Sequence, residues 1–278
     1  MKHEEGNLQL HGFENIYYQI WQPDKETRSV ILLIHGLGEH GGRYGADFAQ
    51  FYTDAGFAII APDLPGHGKT LGPRGHIADN SFFLDHIDHF LQKIKEIFPG
   101  KPVFIYGHSM GGLLALWFAL TRKPLINGMV VTSPGIHTKD PVPAVKKTLA
   151  RIMNKIMPSF RMDNGLDANL LSRDKSVVSA YVSDPLVHKM ISARMGLLFI
   201  DQGDWILEHA AENPVDILLM IGENEGIVDK ASVDQFAKTA PHVDYKVWPN
   251  LFHEIHNEPE KKDVFAYTLK WLESHQRL

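Results

Sequence analysis

The sequence predicts an α/β fold in which helices flank a mostly parallel sheet. Two apolar runs, Ser29–Ile34 and Phe57–Ala61, lack polar alternation, which is typical of strands buried on both faces. Segments of helical periodicity such as Tyr44–Ala55 separate these runs, and the alternation of strands with helices predicts a parallel sheet. The third observation is a Gly-x-Ser-x-Gly motif at Gly107–Gly111, where a predicted strand meets a predicted helix.

The other elements continue this alternation along the chain. Predicted strands cover Ile16–Trp21, as an edge strand, then Val103–Tyr106, Met129–Thr132, Asp216–Ile221 and Asp244–Trp248. Predicted helices cover Ser81–Phe98, with Ser81 as the N-cap, then Met110–Thr121, Lys230–Thr239 and Val264–His275.

The alternation lapses in the second half of the chain, where apolar residues keep helical spacing between two proline-containing breaks. We therefore predict a core formed by residues 1–133 and 212–278, with a helical insertion at residues 134–211. Open α/β sheets place their sites at the carboxyl ends of the strands, so an insertion here predicts a cap or lid over the site.

Composition narrows the class of protein. The 278 residues carry a net charge of -5, which argues against nucleic acid as the main partner. The chain has no cysteine, which excludes disulfides and thiolate chemistry. The amino terminus is polar and acidic, unlike a signal peptide, and no apolar run approaches the length of a bilayer span. These features predict a soluble, cytoplasmic protein.

Ser109 is the candidate nucleophile. Small residues around it permit the sharp strand-to-helix turn that exposes a serine above a sheet. A serine hydroxyl needs a base to take its proton, a group that orients the base, and amide donors for the oxyanion. Enzymes of this architecture order these groups as serine, acid and histidine, so we predict His253 as the base, with His256 as the second candidate.

The remaining groups are predicted on loops that follow strands. One carboxylate in the polar loop 222–229 is expected to orient His253. The oxyanion donors are expected to be two backbone amides. One belongs to Met110, directly after the nucleophile, and the other to Leu37, in a glycine-containing loop after an earlier strand.

Several motifs taken together resemble one family. They are His35-Gly36-Leu37-Gly38-Glu39-His40 with Gly42-Arg43-Tyr44, Gly66-His67-Gly68, Gly107–Gly112, Leu171-Ser172-Arg173-Asp174 and Tyr181-x-x-Asp184-Pro185-Leu186. The set resembles the monoacylglycerol lipase and lysophospholipase branch of the α/β-hydrolases, from about Ile16 to Leu272. The resemblance implies an eight-stranded sheet with a helical lid inserted after the sixth strand, and hydrolysis of a fatty acyl ester.

The resemblance also implies roles for single residues. Ser109 and His253 match the family's nucleophile and base, and Leu37 and Met110 match its oxyanion pair. The acid departs from the family pattern, because Glu225 stands where an aspartate is expected. We predict Glu225 as the acid from its register in the motif, with Asp229 as the competing carboxylate.

Four further polar residues align with the alcohol end of the family's site. They are Glu39, Arg43, Tyr181 and His256. The alternative for Glu39 and Arg43 is an exposed ion pair of little energetic value.

The start of the insertion predicts an amphipathic helix between Val142 and Arg161. Its apolar positions are Val145, Leu149, Ile152, Met153, Ile156, Met157 and Phe160, and its basic positions are Lys146, Lys147, Arg151 and Lys155. Two interpretations have equal weight. The helix rests on an anionic lipid surface, or its apolar face covers the acyl pocket while the lysines are solvated.

The leading hypothesis is a serine hydrolase that cleaves monoacylglycerols through an acyl-enzyme, with no cofactor and no metal. The alternatives are a lysophospholipase or general carboxylesterase, a less favoured aminopeptidase, and a non-catalytic lipid-binding protein of the same fold. The expected partners are a lipid ester and, through the lid, a membrane or micelle surface, but not nucleic acid. His86 and His89 are spaced as a metal pair, but we expect them to form an exposed polar face.

Overall fold

The structure, a computed structural model, describes residues 1–10 and 13–276. Its strands are β1 (Lys2–Leu10), β2 (Phe13–Gln22), β3 (Ser29–Ile34), β4 (Phe57–Pro62), β5 (Val103–His108), β6 (Gly128–Thr132), β7 (Arg161–Asp163), β8 (Met190–Ser192), β9 (Ile217–Gly222) and β10 (Val243–Trp248). Its helices are α1 (Asp47–Asp54), α2 (Ser81–Ile97), α3 (Met110–Arg122), α4 (Ala144–Ile156), α5 (Lys175–Ser183), α6 (Ala193–His209), α7 (Lys230–Thr239) and α8 (Lys261–Ser274).

Eight strands form one sheet in the order β1-β2-β4-β3-β5-β6-β9-β10. All neighbours from β4 to β10 pair in parallel, whereas β2 is antiparallel to both β1 and β4. The predicted α/β class with a mostly parallel, eight-stranded sheet is therefore confirmed. The prediction that Ile16–Trp21 forms an edge strand is wrong, because β1 pairs outside it. Most described side chains of β1 are exposed, so its sequence lacks the apolar signal of a strand.

The sheet is buried on both faces by helices. Along β3, Val30, Leu32 and Ile34 pack on the face covered by α2, α3, α6 and α7. Ile31 and Leu33 point to the other face, which is covered by α1 and α8. This explains why the strand is a continuous apolar run, since a fully buried aliphatic side chain contributes about 1.5–3 kcal/mol on either face.

Most predicted helices are confirmed within a few residues. The end of α1 and the start of α2 show which residues set the boundary. Gly56 has a φ of 90° directly after α1, a left-handed conformation that glycine adopts without steric cost. The predicted cap of α2 is wrong, because Asn80 holds the N-cap position. Instead, the Asp79 carboxylate accepts the Ser81 amide and hydroxyl at 2.9 Å each.

The segment between β6 and β9 contains more than helices. It carries α4, α5 and α6, together with a two-stranded antiparallel sheet in which β7 pairs with β8. The prediction of a purely helical insertion is therefore incomplete. Each of these strands has only three residues, too few to show a period of two in the sequence.

Backbone hydrogen bonds attach the middle of this insertion to loops of the core. The His188 amide donates to Gly38 at 2.8 Å, and the Ser192 amide donates to Gly75 at 2.8 Å. From the core side, the Glu254 amide donates to Leu171 at 2.8 Å. These bonds place the insertion over the carboxyl ends of β3, β4 and β10. Among the described residues, no helix is long and apolar enough to cross a membrane.

We expect Gly111→Ala to destabilise the fold strongly. A Cβ at Gly111 would lie 2.0 Å from the Ile34 carbonyl oxygen, so α3 would have to move away from the end of β3. Overpacking of this kind lowers the free energy of unfolding by about 1–3 kcal/mol or more. Urea denaturation followed by circular dichroism measures the loss.

Gly196→Ala in α6 is the matched control. Its nearest neighbour to a new Cβ is 3.9 Å away, so the variant should be neutral or gain up to about 1 kcal/mol of helix propensity. Equal midpoints for the Gly111 variant and the native chain would contradict the proposed close packing.

Candidate active site

The chain turns sharply from β5 into α3 at Ser109. Its φ of 54° and ψ of -115° are unfavourable for a residue with a Cβ, at a cost of about 1–3 kcal/mol. Three hydrogen bonds of 3.0 Å hold this conformation. The Ser109 amide donates to Thr132, and its carbonyl accepts the amides of Leu113 and Gly135. Ser109 is therefore fixed at the carboxyl end of the central strands.

Close packing favours glycine immediately before this turn and in the loop that faces it. A Cβ at Gly107 would lie 2.6 Å from the Gly111 carbonyl oxygen. A Cβ at Gly36, in the loop after β3, would lie 3.3 Å from the Ser109 Cβ. The Gly36 backbone therefore passes directly beside the nucleophile candidate.

His253 lies in the loop after β10, as predicted, and is buried. Its Nδ1 contacts the Glu225 Oε2 at 2.9 Å, and its carbonyl accepts the Ser133 hydroxyl at 2.9 Å. The ring of His108, the residue before Ser109, is 4.8 Å from the His253 ring. The imidazole is thus held near the turn, with its Nδ1 engaged by Glu225.

The structure separates the two carboxylates that competed for the role of acid. Glu225 accepts the amides of Ile227 at 2.7 Å and Val228 at 3.2 Å through Oε1, which leaves Oε2 for His253. Asp229 instead caps α7 and accepts the amides of Ala231 and Ser232 at 3.1 Å each. In this structure Asp229 therefore contacts the first amides of α7, whereas Glu225 contacts the histidine.

The Glu225–His253 contact shifts both titrations. Burial alone would lower the pKa of His253, but Glu225 outweighs it and raises that pKa, with help from Glu254 and Glu39. Burial likewise opposes ionisation of Glu225, yet His253 and two amides keep the pKa of this carboxyl below its usual value. The pair therefore favours a charged imidazolium, the species that forms when a base takes a proton.

The loop after β3 presents the Leu37 amide, and His35 holds that loop in place. His35 Nδ1 contacts the Gly36 carbonyl at 2.8 Å, and Nε2 accepts the Leu64 amide at 2.9 Å. Burial keeps the pKa of His35 well below its usual value, so its neutral ring serves both bonds. Within the described residues, neither the Leu37 nor the Met110 amide donates to a protein acceptor. Both amides are available to an oxyanion.

The polar residues predicted near the alcohol end form a buried array. Arg43 contacts the Glu39 carboxylate and makes a bidentate pair with Glu254 at 2.7 and 2.8 Å. The Tyr181 ring lies over the Arg43 guanidinium at 4.8 Å. The alternative of an exposed ion pair is wrong, since only 10% of the Arg43 side chain and 4% of the Glu39 side chain are accessible.

Glu254 was missed by the sequence reasoning. It directly follows His253, and Arg43 holds the pKa of its carboxyl at about 2 although burial opposes this ionisation. The available signal was a carboxylate next to the predicted base, but its partner lies 211 positions away in the chain.

His256 does not join this array. It is buried, its ring stacks on Tyr44 at 4.9 Å, and neither ring nitrogen has a hydrogen-bond partner in the described part of the chain. Burial lowers its pKa to about 3. The prediction that His256 lines the alcohol end therefore has no support from a polar contact here.

The two motifs in the insertion are explained by contacts with the core. The Asp184 carboxylate contacts His40 Nε2 at 2.9 Å, and His40 belongs to the loop that carries Leu37. Arg173 pairs with the fully buried Glu258 at 2.7 Å, close to the loop of His253. These residues join the insertion to both sides of the site.

The prediction for the histidines of α2 is partly wrong. His89 is exposed, as predicted, and its Nδ1 contacts the Asp85 carbonyl at 2.6 Å, but His86 is buried against Phe90. Burial lowers the pKa of His86 to about 3. Helical phase explains the difference, because position 86 faces the sheet. Across residues 1–10 and 13–276, no group of three acidic or histidine side chains is arranged to hold a metal ion.

We expect Glu225→Gln to lower kcat by about 10²–10⁴-fold, because an amide holds the histidine tautomer poorly and does not stabilise the imidazolium. Asp229→Asn is the matched control. It should keep kcat within about twofold and cost at most ~1 kcal/mol of stability, through the weakened cap. Steady-state ester hydrolysis measures both, and the opposite ranking would identify Asp229 as the acid.

The pH dependence of kcat/KM checks the same contact. His253 acts as a base only when neutral, and its pKa is raised, so the acid limb should lie above pH 6.5, the ordinary pKa of histidine. Removing the Glu225 charge should move the limb to lower pH. A limb that stays in place would show that another group orients His253.

Comparisons with known proteins agree with this geometry. A family model described as "Serine aminopeptidase, S33" matches residues 25–260. A monoacylglycerol lipase of Mycolicibacterium smegmatis is 34% identical over 95% of this chain and 95% of its own length. The phospholipase YtpA of Bacillus subtilis is 34% identical over 88% of this chain and 95% of its own.

Solved structures point the same way. The monoacylglycerol lipase of Paleococcus ferrophilus superposes with a TM-score of 0.83 at 32% identity, covering 94% of this chain and 99% of its own. Since the family model spans most of the chain and these relatives align over nearly their whole lengths, the chain belongs to the serine aminopeptidase S33 family, within the monoacylglycerol lipase and lysophospholipase branch of the α/β-hydrolases.

Proposed function

We propose that this protein hydrolyses the ester bond of monoacylglycerols through an acyl-enzyme on Ser109. The observation that carries the proposal is the 2.9 Å contact between His253 and Glu225 beside the strained Ser109 turn. Sequence similarity to relatives named monoacylglycerol lipase supports the choice of substrate.

Acylation begins when the Ser109 oxygen attacks the ester carbonyl carbon and its proton passes to His253 Nε2. The carbonyl oxygen becomes an oxyanion, which the Leu37 and Met110 amides stabilise. Because Met110 is the first residue of α3, the positive end of the helix dipole also favours this anion. When the intermediate collapses, the carbon–oxygen bond to glycerol breaks and the leaving oxygen takes the proton from His253.

Deacylation repeats these steps with water. His253 removes a proton from water as the water oxygen attacks the acyl carbon, and the second oxyanion occupies the same amides. Collapse then breaks the bond to the Ser109 oxygen, which recovers its proton from His253 and releases the fatty acid. Glu225 stabilises the imidazolium in both halves of the reaction.

Two neighbouring activities have a specific observation in their favour. The relative named phospholipase YtpA favours a lysophospholipid substrate, and the family description favours an aminopeptidase. An aminopeptidase needs a free carboxylate for the substrate ammonium. Here the carboxylates of Glu39 and Glu254 are both paired with Arg43, which argues against that activity.

Fluorophosphonate labelling separates an enzyme from a non-catalytic lipid-binding protein. We expect the native chain to label at one site and Ser109→Ala not to label, because Ser109 is the serine to which the proposed base and oxyanion donors are assigned. Mass spectrometry of the labelled peptide identifies the site. Equal labelling of both proteins would contradict the assignment of Ser109.

A substrate panel then tests the reaction. It compares monoacylglycerol, lysophosphatidylcholine, p-nitrophenyl butyrate and an aminoacyl p-nitroanilide by kcat/KM, with Ser109→Ala as the blank. Monoacylglycerol should be preferred. Faster turnover of the lysophospholipid or of the anilide would replace the proposed substrate class with that of the corresponding relative.

We further propose that residues 134–211 form a lid with two parts. The middle of the insertion is hydrogen-bonded to the core through His188, Ser192 and Leu171, as described above. In contrast, α4 has no buried residue. The lid function is therefore assigned to α4, because a helix without buried residues can move relative to the core at a low cost in free energy.

The exposed face of α4 is suited to a lipid surface. Its exposed apolar side chains recur every three or four residues at Val145, Leu149, Ile152 and Ile156. The opposite face packs on α6, where Lys147 pairs with Asp204 at 3.7 Å and Arg151 with Asp201 at 3.1 Å. Within the described residues, Lys146 and Lys155 form no ion pair and flank the apolar stripe. This arrangement favours contact with anionic lipid over a role as a closed roof.

Substitution of the stripe tests this contact. Leu149→Asp with Ile152→Asp should abolish sedimentation with anionic liposomes and raise KM on micellar substrate, while activity on p-nitrophenyl butyrate is retained. Leu125→Asp is the control, because Leu125 is 91% exposed but lies outside the insertion, just after the C-terminal end of α3. Unchanged sedimentation of the double variant would remove α4 as the docking element.

A further inference from the structure

The Glu39–Arg43–Glu254 array joins the two loops that must cooperate in the proposed reaction. At one end, Glu39 Oε1 accepts the Gly36 amide at 2.6 Å, next to the peptide unit that presents the Leu37 amide. At the other end, Glu254 directly follows His253 in the chain. A continuous set of hydrogen bonds therefore runs from the oxyanion loop through Arg43 to the loop of the base.

Other contacts hold the array rigid. The Tyr44 hydroxyl donates to Glu39 at 3.1 Å, and the Asn257 amide group donates to Glu254 at 2.8 Å. The Tyr181 ring covers the guanidinium from the side of the insertion. Water has little access, since only 2% of the Glu254 side chain is exposed. Each carboxylate consequently has one preferred orientation.

Stability alone does not account for this arrangement. Burying three charged groups costs several kcal/mol of desolvation per ion, and well-packed apolar residues are often as stable or more so. What charged hydrogen bonds add is direction, because a bidentate guanidinium fixes both partners in a plane. The array is thus better explained by a fixed spacing of the two loops than by a gain in folding free energy.

Resting on the proposed hydrolysis, we infer that Glu39 and Glu254 are positioning residues that act through Arg43 to set the oxyanion loop against the loop of His253. The array holds the Leu37 amide at a fixed distance from the base, so oxyanion and imidazolium are stabilised in the same transition state. Preorganisation of this kind is sensitive, because misplacement by 1 Å costs about 10²-fold in rate.

The charge of the array has a second effect on the base. Two carboxylates share one guanidinium, and their pKa values shift in opposite directions. Burial raises the pKa of Glu39, whereas Arg43 lowers the pKa of Glu254 and keeps that carboxylate ionised. The carboxylates that act on His253 are those of Glu225, Glu254 and Glu39, and the neighbouring titratable rings are His108 and His256. Arg43 acts on these two rings and pairs with Glu39 and Glu254. Both array carboxylates raise the pKa of His253.

The test uses Glu254→Gln, Glu39→Gln and the double variant, assayed on monoacylglycerol and on p-nitrophenyl butyrate. We expect each single variant to lower kcat by about 10-fold to 100-fold on both substrates, with KM changed less than about threefold. The double variant should lose no more than the worse single variant, because both act through Arg43. The acid limb of kcat/KM should move to lower pH in Glu254→Gln.

The second substrate separates positioning from substrate binding, since p-nitrophenol has no glycerol hydroxyls. Loss confined to monoacylglycerol, expressed mainly in KM, would make these residues glycerol contacts and overturn the inference. Full activity on both substrates would overturn it as well. If the native chain neither hydrolyses esters nor labels with fluorophosphonate, the proposed function fails before the array is tested.

Glu258→Gln provides the matched control for the loss of a buried carboxylate. Glu258 is fully buried and pairs with Arg173 of the insertion rather than with Arg43. Its Oε1 also accepts the Phe252 amide at 3.2 Å, a bond that the side-chain oxygen of glutamine can keep. The midpoint temperature of thermal unfolding should fall by a similar amount in Glu258→Gln and Glu254→Gln. The acid limb of kcat/KM should move only in Glu254→Gln. Equal kinetic losses in both would show that general destabilisation explains the effect.

Discussion

The geometry of the site depends on the unfavourable backbone conformation of Ser109. A φ of 54° at a residue with a Cβ persists only because the surrounding structure over-determines it, here through hydrogen bonds to Thr132, Leu113 and Gly135. The same turn allows α3 to begin directly above the sheet, so its first amide points toward the site. Gly111 then packs against the end of β3. The positions of the candidate nucleophile and of one candidate oxyanion donor, together with this core packing, are consequences of one local constraint.

Around this turn, polar contacts decide which loops can move. Glu225 and Glu254 hold the loop of His253 on two sides, through the imidazole and through Arg43. The middle of the insertion is attached by backbone bonds and by the pair of His40 with Asp184, whereas α4 has no buried residue and pairs with α6 through Lys147 and Arg151. The loops around the site are therefore held more firmly than α4.

Sequence reasoning predicted the sheet well and named candidate residues for the chemistry. Buried parallel strands are short apolar runs, and the Gly-x-Ser-x-Gly turn combines a steric requirement with a chemical one, so Ser109 could be assigned locally. His253 and Glu225 followed from chain order and motif register. Contacts between distant segments could not be predicted in this way. The pairing of Arg43 with Glu254 and the burial of His86 depend on packing that a single sequence does not display.

The sequence by itself determined the alternation of strands and helices, the position of the nucleophile and the residue types available as base and acid, because these depend on local sterics and on periodicity. Only the tertiary structure distinguishes the surroundings of Glu225 and Asp229, because packing sets what each carboxylate of this loop faces: an imidazole in one case and the first amides of α7 in the other. It also placed Glu39 and Arg43 in a buried array and so excluded the alternative of an exposed ion pair, because burial is set by the elements that pack over a residue.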